Sequence, residues 1–74
     1  MTITVYTKPA CPQCDATKRL LAKLDIAYDL VDLTADTDAL EDLKQRGYMQ
    51  APVVITADNT WTGYRPDYIK ALVS

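Results

Sequence analysis

The sequence contains no histidine and only two cysteines, so it is poor in the side chains that bind transition metals. A structural zinc site needs about four ligands, mostly cysteine and histidine. One chain cannot complete such a site here without carboxylates. Two chains could pool four thiolates around zinc or an iron–sulfur cluster, and this dimeric binding module stays open as an alternative.

Long apolar runs and blocks of like charge are also missing. No apolar segment approaches the roughly 20 residues that span a membrane, and Thr2, Thr4, Thr7 and Lys8 interrupt the N-terminus in a way that signal peptides do not. The formal net charge is −2 with acids and bases interspersed, so nucleic acid is not an expected partner. We therefore expect a cytoplasmic monomer whose 74 residues form a single small domain.

Both cysteines fall in one motif, Cys11-Pro12-Gln13-Cys14. The residues before the motif alternate between polar and apolar as in a strand, and those after it repeat apolar residues at helical spacing. The pair should therefore lie where a strand ends and a helix begins. A C-x-x-C motif in this setting predicts a dithiol redox site.

The chemistry explains the spacing. At a helix N-terminus, the sulfur of Cys11 faces unpaired backbone N–H groups and the positive end of the helix dipole, which favour the nucleophilic thiolate. Cys14 lies one turn further, close enough to close a disulfide, and Pro12 suits the first turn because its missing N–H would have no partner. Lys8 either supports the thiolate or is a solvated loop residue, and Thr7 either lines the site or bonds within the loop. We expect the pKa of Cys11 to be lowered into the range of about 3.5–7.5.

A purely structural disulfide explains the motif less well. A two-residue spacer closes a very small loop, which removes little entropy from the unfolded chain. Persistent structural disulfides are also rare in the cytosol. The redox interpretation is therefore favoured.

Periodicity and turn signals predict seven elements in the order β-α-β-α-β-β-α. Strands are expected over about 2–6, 28–33, 53–55 and 60–63, and helices over about 12–24, from within 34–38 to 46, and from 66 onward. A right-handed crossover makes the first two strands parallel neighbours, and the closing hairpin adds an antiparallel pair. The expected α/β fold is a four-stranded mixed sheet with three helices on its two faces.

With these elements placed, three stretches carry a family resemblance: the C-x-x-C motif, Ala51-Pro52, and the segment 61–67, Trp-Thr-Gly-Tyr-Arg-Pro-Asp. The chain resembles the NrdH-redoxins, glutaredoxin-like proteins of the thioredoxin superfamily, over essentially its whole length. The resemblance implies a thioredoxin-like fold and a redoxin that reduces class Ib ribonucleotide reductase. It also implies recharging by thioredoxin reductase, so that electrons come from NADPH through the flavin of that enzyme and no cofactor is bound here.

A glutathione-dependent glutaredoxin is the other redox interpretation. Pro12 resembles the glutaredoxin motif more than that of NrdH-redoxins, which often carry another apolar residue there. Glutaredoxins hold glutathione partly through a Gly-Gly pair followed by Asp before the last helix. Here Gly63 is followed by Tyr64 and Arg65, so that pattern is missing.

The resemblance implies further site residues. Redoxins place a cis proline beside the disulfide, so the resemblance predicts that the Ala51–Pro52 bond is cis. Ala51, Pro52 and Gln13 are expected to support the site. Four residues are candidates for partner binding, since aromatic residues and arginine are enriched at interaction hot spots: Trp61, Gly63, Tyr64 and Arg65. Two alternatives stay open, namely that Trp61 belongs to the core and that Arg65 pairs with a carboxylate.

Overall fold

The computed structural model describes residues 3–73 and confirms the predicted order of elements. The four strands form one mixed sheet, and the three helices complete an α/β fold. The elements are β1 (Thr4–Thr7), α1 (Pro12–Lys23), β2 (Asp29–Asp32), α2 (Thr37–Gln45), β3 (Val53–Ile55), β4 (Thr60–Thr62) and α3 (Pro66–Ala71).

Several boundaries differ from the sequence-based prediction by one to three residues. Strand β1 extends to Thr7, and the predicted start at Thr2 lies outside the described residues. Strand β2 is shorter than the predicted 28–33 because its ladder runs only from the Thr4–Asp29 pair to the Thr7–Asp32 pair. The N-cap of α2 is Asp36, whose carboxylate accepts the Ala39 N–H at 3.0 Å, as N-cap side chains do.

The sheet has the order β2-β1-β3-β4, with β1 and β2 parallel and the other neighbours antiparallel. This arrangement confirms the parallel crossover and the closing hairpin. Strand β1 lies between β2 and β3, and its C-terminal end leads directly to the loop that carries the first cysteine. The redox motif is therefore anchored to the middle of the sheet.

The core has two parts, one on each face of the sheet. On the first face, Leu21 of α1 and Ile69 of α3 pack against alternating strand residues; the buried members are Ile3, Val5, Leu21, Val54, Trp61 and Ile69. On the second, Leu43 of α2 packs with Leu33 and Val53. Helices thus cover both faces, as predicted. Within residues 3–73, no helix has the length and apolar character needed to cross a membrane.

Candidate active site around Cys11 and Cys14

Cys11 and Cys14 are joined by a disulfide at the start of α1, with their Cα atoms 5.2 Å apart. Cys11 is the N-cap residue in extended conformation, and Pro12 occupies the first turn. The backbone N–H of Cys14 donates to the sulfur of Cys11 at 3.1 Å. The sulfur therefore takes the position that a serine or aspartate oxygen occupies in an ordinary helix cap, facing the amides and the positive end of the helix dipole.

The two cysteines differ in access to solvent. Cys11 is 8% exposed and Cys14 is 1% exposed. Thiol–disulfide exchange requires direct approach of one sulfur to another, so access affects which sulfur reacts. In this structure a partner sulfur can reach Cys11 more readily than Cys14.

Ala51 and Pro52 lie beside the disulfide and are joined by a cis peptide bond, as the resemblance implied. The carbonyl oxygen of Ala51 lies 3.8 Å from the sulfur of Cys11. Pro52 is buried, and its carbonyl oxygen accepts the N–H of Gly63 at 2.9 Å. This segment therefore connects the cysteine motif to the turn formed by residues 63–65, here called the 63–65 turn.

Gln13 makes a second connection to the 63–65 turn. Its side-chain oxygen Oε1 accepts the backbone N–H of Tyr64 at 3.2 Å, across 51 positions of sequence. A Cβ placed on Gly63 would lie 3.1 Å from that same oxygen, and Gly63 has a φ of +79°. Both the left-handed backbone and the close approach suit glycine. The structure thus brings Gln13, Gly63 and Tyr64 together at the site.

Arg65 is engaged with a carboxylate, which is the alternative left open for it. Its guanidinium bonds both carboxylate oxygens of Asp67, at 3.2 and 2.9 Å, and lies 4.2 Å from the centroid of the Tyr68 ring. The hydrogen bond to Asp67 raises the pKa of Arg65, and the bond from Arg65 lowers the pKa of Asp67. In the free protein, therefore, the arginine is already paired at the start of α3.

Trp61 is 5% exposed and belongs to the core cluster of the first sheet face. Its ring lies 5.2 Å from that of Tyr68, tilted by 36°. The indole Nε1–H is buried and has no hydrogen-bond partner among the described residues. The core alternative accounts for this position, whereas Tyr64, which is 39% exposed, lies on the surface beside the site.

Thr7 and Lys8 end β1 and begin the loop before the cysteines. Thr7 is buried, and its carbonyl oxygen accepts the N–H of Leu33, so the residue holds the end of β1 against the segment after β2. Lys8 is exposed and borders a groove of about 330 Å³ between α2 and the segment before Pro52. The groove is lined mainly by apolar side chains and includes Ala51, which contacts Cys11.

Three features of the site were missed by the sequence analysis. The groove was one, although Met49, 72% exposed, is an apolar side chain just before the conspicuous Ala51-Pro52 pair. The second was the contact between Arg65 and the Tyr68 ring. The sequence analysis placed Tyr68 only in a helix, although Arg65 precedes it at the i,i+3 spacing of neighbouring side chains. Ala10, with a φ of +57°, turns the chain directly before Cys11, and no sequence signal marks a left-handed alanine.

The disulfide contains both cysteines of the chain. No group of three or more Cys, Asp or Glu residues within 3–73 is arranged to hold a metal ion. A helix-capping sulfur in a C-x-x-C disulfide, next to a cis proline and at the end of a central strand, defines a thiol–disulfide oxidoreductase of the redoxin class.

The comparisons with known proteins make the class specific. Residues 3–61 match the glutaredoxin family model. The chain is 40% identical over 72 residues to the glutaredoxin-like protein NrdH of Salmonella typhimurium, covering 97% of this chain and 89% of that protein. It is 31% identical over 70 residues to the glutaredoxin-like protein NrdH of Lactococcus lactis, covering 95% and 97% of the two chains.

A solved structure agrees with these relatives. The NrdH-redoxin of Escherichia coli, a glutaredoxin-like protein described as having a thioredoxin-like activity profile, superimposes with a TM-score of 0.95 at 40% identity. The match covers 97% of this chain and 95% of that one. The chain therefore belongs to the glutaredoxin family, among its NrdH-redoxins, and its fold is thioredoxin-like.

Proposed function

We propose that this protein is a dithiol electron carrier that reduces the disulfide of a class Ib ribonucleotide reductase and is itself reduced by thioredoxin reductase. The observation that carries the proposal is a helix-capping Cys11 sulfur in a chain 40% identical to an NrdH-redoxin over 97% of its length. The thioredoxin-like activity profile described for that relative supports thioredoxin reductase as the electron donor. The cytoplasm, where both partners would be met, is the proposed location.

In the proposed forward reaction, the Cys11 thiolate attacks one sulfur of the partner disulfide. The partner's S–S bond breaks, a mixed disulfide forms at Cys11, and the partner's second sulfur leaves as a thiolate. Cys14 then attacks Cys11, which releases the reduced partner and leaves the Cys11–Cys14 disulfide. Two electrons pass to the partner in this sequence, and the cap from the Cys14 N–H favours the starting thiolate.

The oxidised protein returns to the dithiol by accepting two electrons from thioredoxin reductase. In this proposal the electrons originate from NADPH and pass through the flavin of the reductase. The redoxin needs only its own cysteine pair and a surface that the reductase can approach. No bound cofactor is therefore assigned to this chain.

The surroundings of the disulfide suit a protein partner. The apolar groove bordered by Lys8 reaches Ala51, whose carbonyl oxygen contacts the Cys11 sulfur. Tyr64, whose backbone N–H donates to Oε1 of Gln13, adds an exposed aromatic residue next to the cysteine motif. Both surfaces offer contact area next to the reacting bond, as expected for a carrier that acts as a monomer on larger enzymes.

A coupled assay tests the proposal. The protein is mixed with thioredoxin reductase, NADPH, class Ib ribonucleotide reductase and its ribonucleotide substrate, which is the final electron acceptor. NADPH oxidation is compared with that of the same mixture in which glutathione and glutathione reductase replace thioredoxin reductase. We expect rapid NADPH oxidation in the first system and slow oxidation in the second. Steady turnover with glutathione and none with thioredoxin reductase would make the protein a glutathione-dependent glutaredoxin.

The same preparation tests the dimeric metal-binding alternative. Metal analysis and visible absorbance of freshly purified protein report zinc and iron–sulfur clusters directly. We expect a monomer without stoichiometric metal. A dimer holding one metal centre between two cysteine pairs would contradict the carrier proposal.

A further inference from the structure

The turn beside the disulfide is held by two hydrogen bonds that use its backbone donors. The Gly63 N–H donates to the carbonyl oxygen of Pro52 at 2.9 Å, and the Tyr64 N–H donates to Oε1 of Gln13 at 3.2 Å. Pro66, at the start of α3, has no N–H to offer. The guanidinium of Arg65 is paired with Asp67.

These contacts bear on which thiols can reduce the disulfide. A small thiol that carries carboxylates is held best where backbone N–H groups or cations beside the disulfide are free to bind them. The donors of the 63–65 turn named above are occupied. We propose that Gln13 is a specificity-determining residue, whose side-chain oxygen closes this turn to carboxylate-bearing thiols. The inference rests on the proposed function, because it concerns the electron donor of the same disulfide.

Gln13 is the acceptor in this turn that a substitution can remove. The partner of Gly63 is a backbone carbonyl, which no substitution removes, whereas the partner of Tyr64 is a side chain between the two cysteines. The backbone carbonyl of Gln13 separately accepts the Thr17 hydroxyl at 2.9 Å within α1. Replacing the Gln13 side chain therefore frees the Tyr64 N–H without removing a contact that holds the helix.

The reaction affected is the reduction of the disulfide by two thiols. The first thiolate attacks Cys11, the more exposed cysteine, forming a mixed disulfide and releasing Cys14 as a thiolate. The second thiolate attacks the sulfur of the bound thiol, which yields the oxidised thiol dimer and the Cys11–Cys14 dithiol. A donor that holds the carboxylates of the first thiol accelerates the first step.

The test uses Gln13→Met, which keeps an unbranched side chain of similar length but has no strong acceptor. Reduced glutathione carries two carboxylates, and 2-mercaptoethanol carries none. The rate constants for reduction of the oxidised protein by each thiol are measured separately, and their ratio is compared with that of the parent. We expect the ratio of glutathione to 2-mercaptoethanol to rise about tenfold, the scale of one charge-assisted hydrogen bond.

An unchanged ratio would overturn the proposal, and so would equal acceleration by both thiols, because that result means easier access to the disulfide rather than binding of carboxylates. Gln45→Met makes the same chemical change at the end of α2 and should leave the ratio as it is in the parent. Faster hydrogen exchange of the Tyr64 amide in Gln13→Met reports loss of the bond itself. If Gln13→Met is unstable, Gln13→Ala gives the same comparison, since alanine suits an exposed helical position.

The outcome can be separated from that of the proposed function. The ratio is obtained with chemical thiols alone and needs neither reductase. If thioredoxin reductase fails to reduce the parent, the proposed donor is wrong whatever the ratio does. If the reductase works and the ratio stays constant, only the assignment to Gln13 is wrong.

Discussion

The N-termini of α1 and α3 share a backbone arrangement and differ in the side chain at the N-cap. Each helix begins with a proline, Pro12 or Pro66, after a residue with a non-helical backbone. At α1 that residue is Cys11, whose sulfur accepts the N–H of Cys14. At α3 it is Arg65, which makes no side-chain cap and turns its guanidinium to Asp67 in the first turn instead.

The comparison shows at which helix terminus a thiolate can be stabilised. The amides at the start of a helix stabilise negative charge, and a sulfur placed on them is stabilised as thiolate. At α1 this stabilisation is available to the reacting atom. At α3 the N-cap residue makes no side-chain cap, and its guanidinium pairs with the Asp67 carboxylate of the first turn. A proline-led terminus is therefore reactive in one helix and structural in the other.

The largest expected effect is loss of reaction at the α1 terminus. Cys11→Ser should abolish disulfide reduction, because the one thiol that remains, Cys14, is only 1% exposed and a partner disulfide cannot reach it. Cys14→Ser should still attack but remain as a mixed disulfide with its partner, detectable as a covalent complex on non-reducing gels. Normal turnover of Cys14→Ser on a protein disulfide would contradict the resolving role of Cys14.

The elements of this fold could be predicted from sequence because their signals are local. Alternation marks β1, helical spacing follows the cysteines, and Pro66 and Gly47 mark a helix start and a helix end. Gly47 has a φ of +90°, as expected directly after α2. Strand ends were less accurate because a strand stops where its partner's ladder stops, which depends on pairing between distant segments.

Some site residues could be predicted and others could not, because several contacts of the site also join distant segments. Cys11 and Cys14 could be recognised from their spacing. The cis bond at Pro52 was predicted from the family resemblance, because no local signal indicates it. The Gln13–Tyr64 bond joins residues 51 positions apart, so no periodicity reveals it. Trp61 illustrates the limit of composition, since an aromatic residue in an edge strand fits a partner surface or a core equally well until packing decides.

The next effect concerns how α3 is held without a side-chain cap. Trp61 packs on Tyr68 of α3 and contributes to the main core cluster. Trp61→Ala should therefore lower the free energy of unfolding by about 3–5 kcal/mol, as for large aromatic truncations in cores. Urea unfolding followed by circular dichroism measures this loss.

Trp61→Phe is the matched control, because it keeps an aromatic ring and removes the buried, unpartnered indole N–H. We expect it to cost much less than Trp61→Ala. A small loss in Trp61→Ala, together with a strong loss of reductase turnover, would instead assign Trp61 to partner binding.

A smaller effect is the shift in acidity that the α1 terminus imposes. In the reduced protein, we expect the pKa of Cys11 to lie clearly below the unperturbed value of about 8.5, because the Cys14 N–H and the helix dipole stabilise the thiolate. Thiolate absorbance and the rate of alkylation against pH both measure it. The Cys14→Ser variant isolates the titration of Cys11, and its urea-unfolded form provides the reference. A folded value at or above the reference would remove the distinction between the two helix termini.

A slight effect on stability is expected at the α3 terminus, where Arg65 and Asp67 are exposed. The bond from Arg65 lowers the pKa of Asp67 below its model-compound value of 3.8, so the charged carboxylate favours the folded state. This contribution is complete above the unfolded pKa and is lost as the pH falls through the folded pKa. Asp67→Asn should therefore lower the thermal midpoint slightly at neutral pH, and the difference from the parent should vanish in strong acid.

Asp42→Asn, which breaks an exposed pair with Arg46 away from a helix N-terminus, should have a still smaller effect at neutral pH. A difference for Asp67→Asn that persists undiminished below about pH 2 would show that the residue acts by packing rather than by charge.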